Sequence, residues 1–165
     1  MNNLNYGVIG NCCTAALVSE KASIEWLCFP NFDSPSIFAA LLDREKGGSF
    51  GFEVSEDYHT VQSYVPHTNI LSTTFVSERD EFAVVDFMPC YELYDNKEYY
   101  RPAEVYRYIR WIKGRPRIRS IIIRLPTMRV ARHSSTLLPG TSKRILLPTT
   151  RTGSISTLPC RCRIS

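Results

Sequence analysis

Ala15-Ala16-Leu17-Val18-Ser19-Glu20-Lys21-Ala22-Ser23-Ile24-Glu25-Trp26-Leu27-Cys28-Phe29-Pro30-Asn31-Phe32-Asp33-Ser34-Pro35-Ser36 is the stretch that decides the fold. It reads as a strand from Thr14 to Ser19, a hairpin turn at Glu20-Lys21-Ala22, and a partner strand from Ser23 to Phe29. Strict alternation puts Ile24, Trp26 and Cys28 on one face and Glu25, Leu27 and Phe29 on the other. Pro30 ends the strand because it has no N–H for the ladder. Ser34-Pro35 is a helix-start signal, with Ser34 as N-cap and Pro35 in the first turn. Ile37, Phe38, Leu41 and Leu42 follow at helical spacing, which predicts one short helix near residues 35–43, closed by Gly47-Gly48.

On the N-terminal side, Tyr6-Gly7-Val8-Ile9 suits a first strand and Gly10-Asn11 a turn. On the C-terminal side the chain reads as β: Ser49 to Val54, Tyr58 to Val65, Asn69 to Val76, Phe82 to Met88 and Ala103 to Ile112. Pro66-His67-Thr68, Glu78-Arg79-Asp80-Glu81 and Lys113-Gly114-Arg115-Pro116 supply turns, and a further strand starts near Arg117. Tyr91 to Pro102 reads as a loop. Short strands with turns every 8–12 residues predict an all-β antiparallel sandwich or barrel.

From about Ser120 the character changes. All 16 acidic residues lie between Glu20 and Glu104, and all aromatic residues lie at or before Trp111. Six Lys/Arg lie in residues 1–104 and fourteen in 105–165, so the net charge runs from −10 to +14 across one boundary. Residues 120–165 are rich in Ser, Thr, Arg, Leu and Pro, and read as a basic, disordered tail. The division is therefore 1–119, an antiparallel β domain that the resemblance given below makes an incomplete β-sandwich, and 120–165, the tail.

The 165 residues suffice for one domain with a core, and no run of 18 apolar residues suggests a membrane span. The N-terminal residues lack the pattern of an export signal, so a cytoplasmic location is expected. Cys12, Cys13, Cys28, Cys90, Cys160 and Cys162 show no matched metal-ligand spacing and read as ordinary buried thiols. No metal and no cofactor is expected.

Several ordered motifs carry a resemblance: Gly7-x-Ile9-Gly10-Asn11, Ala15-Ala16-Leu17-Val18, Ser23-Ile24-Glu25-Trp26-Leu27-Cys28 and Pro30-x-Phe32-Asp33-Ser34-Pro35-Ser36-x-Phe38. Gly47-Gly48, Tyr64-x-Pro66-x-Thr68-Asn69-x-Leu71, Val85-Asp86-Phe87-Met88-Pro89 and Tyr106-Arg107-x-Ile109-Arg110 follow in order. Over residues 5–119 the chain resembles the N-terminal domain of glycoside hydrolase family 15, the bacterial-type glucoamylase and trehalase-like enzymes. Asn31 departs from the basic residue of that pattern, and Cys12-Cys13 is unusual.

The resemblance implies a β-sandwich that precedes an (α/α)6 barrel bearing two catalytic glutamates. Those enzymes hydrolyse α-glucosides, α-glucan ends or trehalose, with inversion, using one carboxylic acid and one carboxylate. No acidic residue follows Glu104 here, so no catalytic residue is assigned to this chain. Its expected partner is the barrel of the intact enzyme, with an α-glucoside as ligand. Trp26, Phe32, Asp33 and Ser34 are the candidates for the pocket rim or the domain interface.

Within the domain, Glu25 and Asp33 read as a strand residue and a loop acid rather than a carboxylate pair. Glu78, Asp80 and Glu81 read as a solvated turn, and His59 and His67 as surface or structural residues.

A stand-alone carbohydrate-binding or protein-interaction sandwich is the alternative. A basic nucleic-acid-binding protein is the third reading, weakened because no aromatic stacking platform follows Trp111. The abrupt change near Ser120 also fits a shifted reading frame. Residues 121–130 and 153–165, back-translated and read in one offset, permit strings like those the family carries further along.

Overall fold

The computed structural model describes residues 5–93, 98–124, 129–136, 138–147 and 157–160. Three strands come first: β1 (Tyr6–Gly10), β2 (Ala15–Ser19) and β3 (Ile24–Cys28). The middle of the chain supplies β4 (Ser36–Phe38), β5 (Ser49–Glu53), β6 (His59–Tyr64), β7 (Leu71–Val76) and β8 (Glu81–Phe87). A ribbon of β9 (Tyr91–Leu93) and β10 (Glu98–Tyr100) precedes β11 (Val105–Lys113) and β12 (Arg117–Arg124). Last come β13 (Arg129–Thr136), β14 (Ser142–Leu147) and β15 (Thr157–Cys160). One sheet runs β1-β2-β3-β5-β12-β13, with β4 also on β3; the other runs β15-β14-β11-β8-β7-β6. Every pairing is antiparallel, as the turn spacing predicts.

The core lies between the two sheets. Ile9, Val18, Ile24, Leu27, Phe50 and Ile122 come from the first, and Leu71, Phe75, Phe82, Val84, Val105 and Ile109 from the second. Phe75 and Phe82 stack at 4.7 Å, and Tyr58 meets both edge-on. Polar side chains also cross the interface. Gln62 donates to the Ser19 carbonyl at 3.0 Å, and Tyr64 Oη bonds both backbone groups of Val8.

The main cross-sheet tie is Arg107. Val105, Arg107 and Ile109 form the inward face of β11, so the guanidinium enters an apolar layer. Asp86 on neighbouring β8 receives it in a two-pronged pair at 2.8 and 2.9 Å, with both side chains 0% exposed. The remaining donors reach across to the Phe50 carbonyl at 2.7 Å and the Ala22 carbonyl. The guanidinium also lies over the Phe50 and Phe52 rings, 4.5 and 4.8 Å from their centroids. Each of these contacts offsets part of the cost of burying the charge.

Three sequence expectations need correction. First, the helix expected near 35–43 is absent, and the described residues contain no helix. Ser36–Phe38 instead pairs with β3, Phe38 opposite Leu27 and Ser36 opposite Cys28. Ala39 and Ala40 donate to the Gly47 and Gly48 carbonyls, and Leu41 to that of Glu25, so tertiary partners take the N–H groups. Gly47 permits this, because a Cβ there would strike the Ala39 backbone. The Ser34 hydroxyl accepts from Asn31 N at 3.1 Å and closes its own loop rather than capping a helix.

Second, alternation fails in β3. A register shift between Leu17 and Val18 leaves Glu25 as an extra residue, so Ile24 and Leu27 both point into the core. Trp26 is left half-buried opposite Leu17.

Third, strand pairing takes the place of the loop expected from Tyr91 to Pro102. Tyr91–Leu93 and Glu98–Tyr100 form a ribbon. Past Ser120, β12 continues to Arg124 against β5 with Ile122 buried, and β13, β14 and β15 add to the sheets. The strand β12 thus crosses the 119/120 boundary. Ile121-Ile122-Ile123 is strongly β-forming, and β12 and β14 cover edges of β5 and β11 that would otherwise be left unpaired.

Candidate functional site

Loops from distant parts of the chain meet at one end of the sandwich. The Asn11 side chain organises this end: its Oδ1 accepts from Cys13 N at 3.1 Å and Thr14 N at 3.2 Å, and its Nδ2 donates to the Pro102 carbonyl at 3.1 Å. The turn it holds includes Cys12 at φ 68°. The Cys13 carbonyl in turn accepts from Phe32 N at 3.0 Å. The Phe32-Asp33-Ser34 loop is therefore fixed by its backbone while the Phe32 ring stands 62% exposed.

The β9–β10 ribbon reaches the same end through Arg101 and Pro102. The Cys90 and Cys13 thiols beside Arg101 raise its already high pKa, and its guanidinium lies over the Tyr99 ring at 5.5 Å. Tyr91, Leu93, Tyr99 and Tyr100 on the ribbon are all exposed. Exposed apolar and aromatic side chains of this kind, Phe32 among them, are what interaction surfaces are built from.

Of the four expected site residues, Phe32, Asp33 and Ser34 sit on this end loop, with Asp33 exposed and Ser34 half-buried. Trp26 belongs to β3 instead, two residues before the strand ends. Glu25 and Asp33 do not share an environment. Glu25 Oε2 accepts from Tyr6 Oη at 2.6 Å on the outer face of the first sheet, and burial with this bond pushes the Tyr6 phenol up to about 12. His59 and His67 are exposed, the latter at φ 61°.

Two further readings are corrected. Asp80 is not simply solvated: its Oδ1 accepts from Arg115 N at 2.7 Å, joining the β7–β8 and β11–β12 turns. The cysteines are not uniformly buried, since Cys12 and Cys90 are exposed and Cys13 and Cys28 half-buried. The side chains of Cys160 and Cys162 lie outside the described residues. Among the described residues no group of three His, Cys, Asp or Glu is placed to hold a metal ion, and no helix is long and apolar enough to cross a membrane.

Sequence reasoning gave no role to Arg107 and Asp86, although both stood in quoted motifs. The available signal was a charged residue at an inward position of an alternating strand, which needs an acidic partner on a neighbour.

Residues 5–106 match the family described as trehalase-like, N-terminal. Trehalase 1 of Sulfolobus acidocaldarius is 52% identical over 85 residues, 50% of this chain and 14% of that protein. The trehalase of Thermoplasma volcanium is 41% identical over 87 residues, 51% of this chain and 14% of its own length. That of Mycolicibacterium smegmatis is 41% identical over 75 residues, 43% of this chain and 11% of its own. The matched segment thus spans about a seventh of these relatives or less. No solved structure matches. With 102 consecutive residues matched and the β architecture in place, the chain belongs to the trehalase-like N-terminal domain family.

Proposed function

We propose that this chain is the non-catalytic N-terminal β domain of a family 15 glycoside hydrolase, whose intact form hydrolyses α-glucosides such as trehalose or α-glucan ends with inversion. The observation that carries this reading is the family match over residues 5–106, in relatives whose remaining length lies outside the match. The domain's role is to pack on the (α/α)6 barrel that bears the catalytic carboxylates. Phe32 and the exposed aromatics of the β9–β10 ribbon are the docking surface, and Asp33 and Ser34 stand where a pocket rim would pass. Cytoplasmic location belongs to the same proposal, and nucleic acid is not among the partners.

We also propose that residues from about Ser120 are out of frame with the family's coding sequence, consistent with a family match that stops at residue 106. Sequencing the locus decides this: stop codons or unrelated residues in the offset frame overturn it.

Complementation tests the domain role. The chain is mixed with Sulfolobus acidocaldarius trehalase 1 lacking its matching segment, and glucose release from trehalose is followed. Restored hydrolysis that is lost with Phe32→Ala or Tyr100→Ala supports the proposal. Failure of the chain to bind or activate that partner counts against it.

A further inference from the structure

The two sheets end differently at β1 and β6. The outer edge of β1 is capped: Tyr64 Oη accepts from Val8 N at 2.7 Å and donates to the Val8 carbonyl at 3.0 Å. The outer edge of β6 is open. β6 pairs only with β7, and Val65 N continues that register by donating to the Ile70 carbonyl at 2.9 Å. Hydrogen bonding alternates along an antiparallel strand, so His59, Val61 and Ser63 also bond toward β7, and the backbone groups of Thr60, Gln62 and Tyr64 face away from it. Among the described residues, the N–H and C=O of those three have no partner. The devices that usually blunt such an edge are missing. No Asp, Glu, Lys or Arg occurs from His59 to Ile70, the β6–β7 register has no shift, and the first proline is Pro66, beyond the strand. The side chains of Gln62 and Tyr64 anchor the strand on the first sheet, while Val61 and Ser63 stand exposed on the outer face.

We propose that β6 pairs with β6 of a second copy of this chain, antiparallel about a two-fold axis at Gln62, so that the two second sheets join into one. An antiparallel edge is complementary to itself, because a two-fold axis presents the same donors and acceptors in reverse order. Centred on Gln62, the outward-facing residues meet: Gln62 meets the partner's Gln62, and Thr60 meets the partner's Tyr64. Both backbone groups of all three residues are then paired. On the outer face Val61 lies opposite the partner's Ser63, and His59 opposite the partner's Val65, so the two imidazoles sit at opposite ends. The neutrality of the strand selects a second copy. A charged edge finds no counter-charge on β6, whereas the same neutral edge meets itself without repulsion. Every residue involved lies within the family match. The pairing uses none of the residues assigned to the docking end and does not depend on the glycosidase reading.

The test is sedimentation velocity of the full chain over a range of concentrations. The expected result is a reversible species of twice the 18.9 kDa chain mass. Val61→Lys with Ser63→Lys sets lysine opposite lysine at both crossings and should weaken the dimer about tenfold or more. Val61→Lys with Ser63→Glu sets lysine opposite glutamate and should retain it. Both positions are exposed, and neither side chain makes a hydrogen bond among the described residues, so both variants should melt like the parent. Backbone hydrogen exchange gives a second reading: the Thr60, Gln62 and Tyr64 amides should be protected in the parent and exchange freely in the double-lysine variant. A parent that is monomeric at every concentration overturns the proposal. So does self-association that the double-lysine change leaves intact, or that the lysine–glutamate pair fails to retain. Protection of the β6 amides only in the complementation mixture also overturns it, and assigns the edge to the catalytic partner.

Discussion

Replacing Arg107 with Leu should be among the most damaging single changes in this domain. The substitution strands the Asp86 carboxylate, whose only side-chain partner among the described residues is the guanidinium at 2.8 and 2.9 Å, in a site with no solvent access. It also removes the donors serving the Phe50 and Ala22 carbonyls, which tie the second sheet to the first. Breaking a buried pair from one side costs about 3–5 kcal/mol, against a total domain stability of about 5–15 kcal/mol. The melting temperature should therefore fall by about 10 °C or more. The assay is urea and thermal unfolding of the full chain, followed by circular dichroism. Arg107→Leu combined with Asp86→Leu should lose less than the sum of the two single changes by about 2 kcal/mol, because no charge is then left buried alone. A single variant melting within about 2 °C of the parent, or strict additivity in the double variant, would refute the reasoning.

Further outcomes follow from the same geometry. Gly114 sits at φ +75° beside the Arg79 carbonyl and Asp80, so Gly114→Ala should cost about 1–3 kcal/mol in urea unfolding, and an unchanged midpoint would contradict this. Glu53 meets Arg119 at 3.2 Å on the exposed surface, so Glu53→Gln should change stability by less than about 1 kcal/mol. Tyr6 and Tyr58 are both pushed up to about 12 from the ordinary phenol value of 10, chiefly by burial, with Glu25 adding at Tyr6 and Asp80 at Tyr58. Because the neutral phenol is the favoured form in the folded chain, their contribution is complete below pH 10 and is lost as pH rises from 10 through 12. Unfolding midpoints recorded from pH 9 to 12 should fall over that window, and less steeply in Tyr6→Phe.

The hairpin of β2 and β3 and most of the strand plan were legible because turn residues and apolar alternation are local signals. The missed helix shows where local signals stop. Ser34-Pro35 and the Ile37/Phe38/Leu41/Leu42 spacing favour a helix, yet β3 and the Gly47-Gly48 segment take the backbone donors of residues 36–41. No sequence window contains that competition. The bulge at Glu25 was hidden for a similar reason, since one extra residue changes the facing of Trp26 without altering composition. Arg107 was visible only as a charge in an apolar stripe, and its partner lies 21 residues away on another strand. The end loops were partly legible: Phe32, Asp33 and Ser34 lie together, but the contribution of Asn11, Arg101 and the β9–β10 ribbon arises from tertiary contacts.

The central claim is that this chain carries a supporting β domain and not the glycosidase chemistry itself. The direct measurement is glucose release from trehalose by the purified full chain, followed at several protein concentrations. The expected result is no release above the buffer blank at any concentration. Steady release proportional to the amount of chain would contradict the claim.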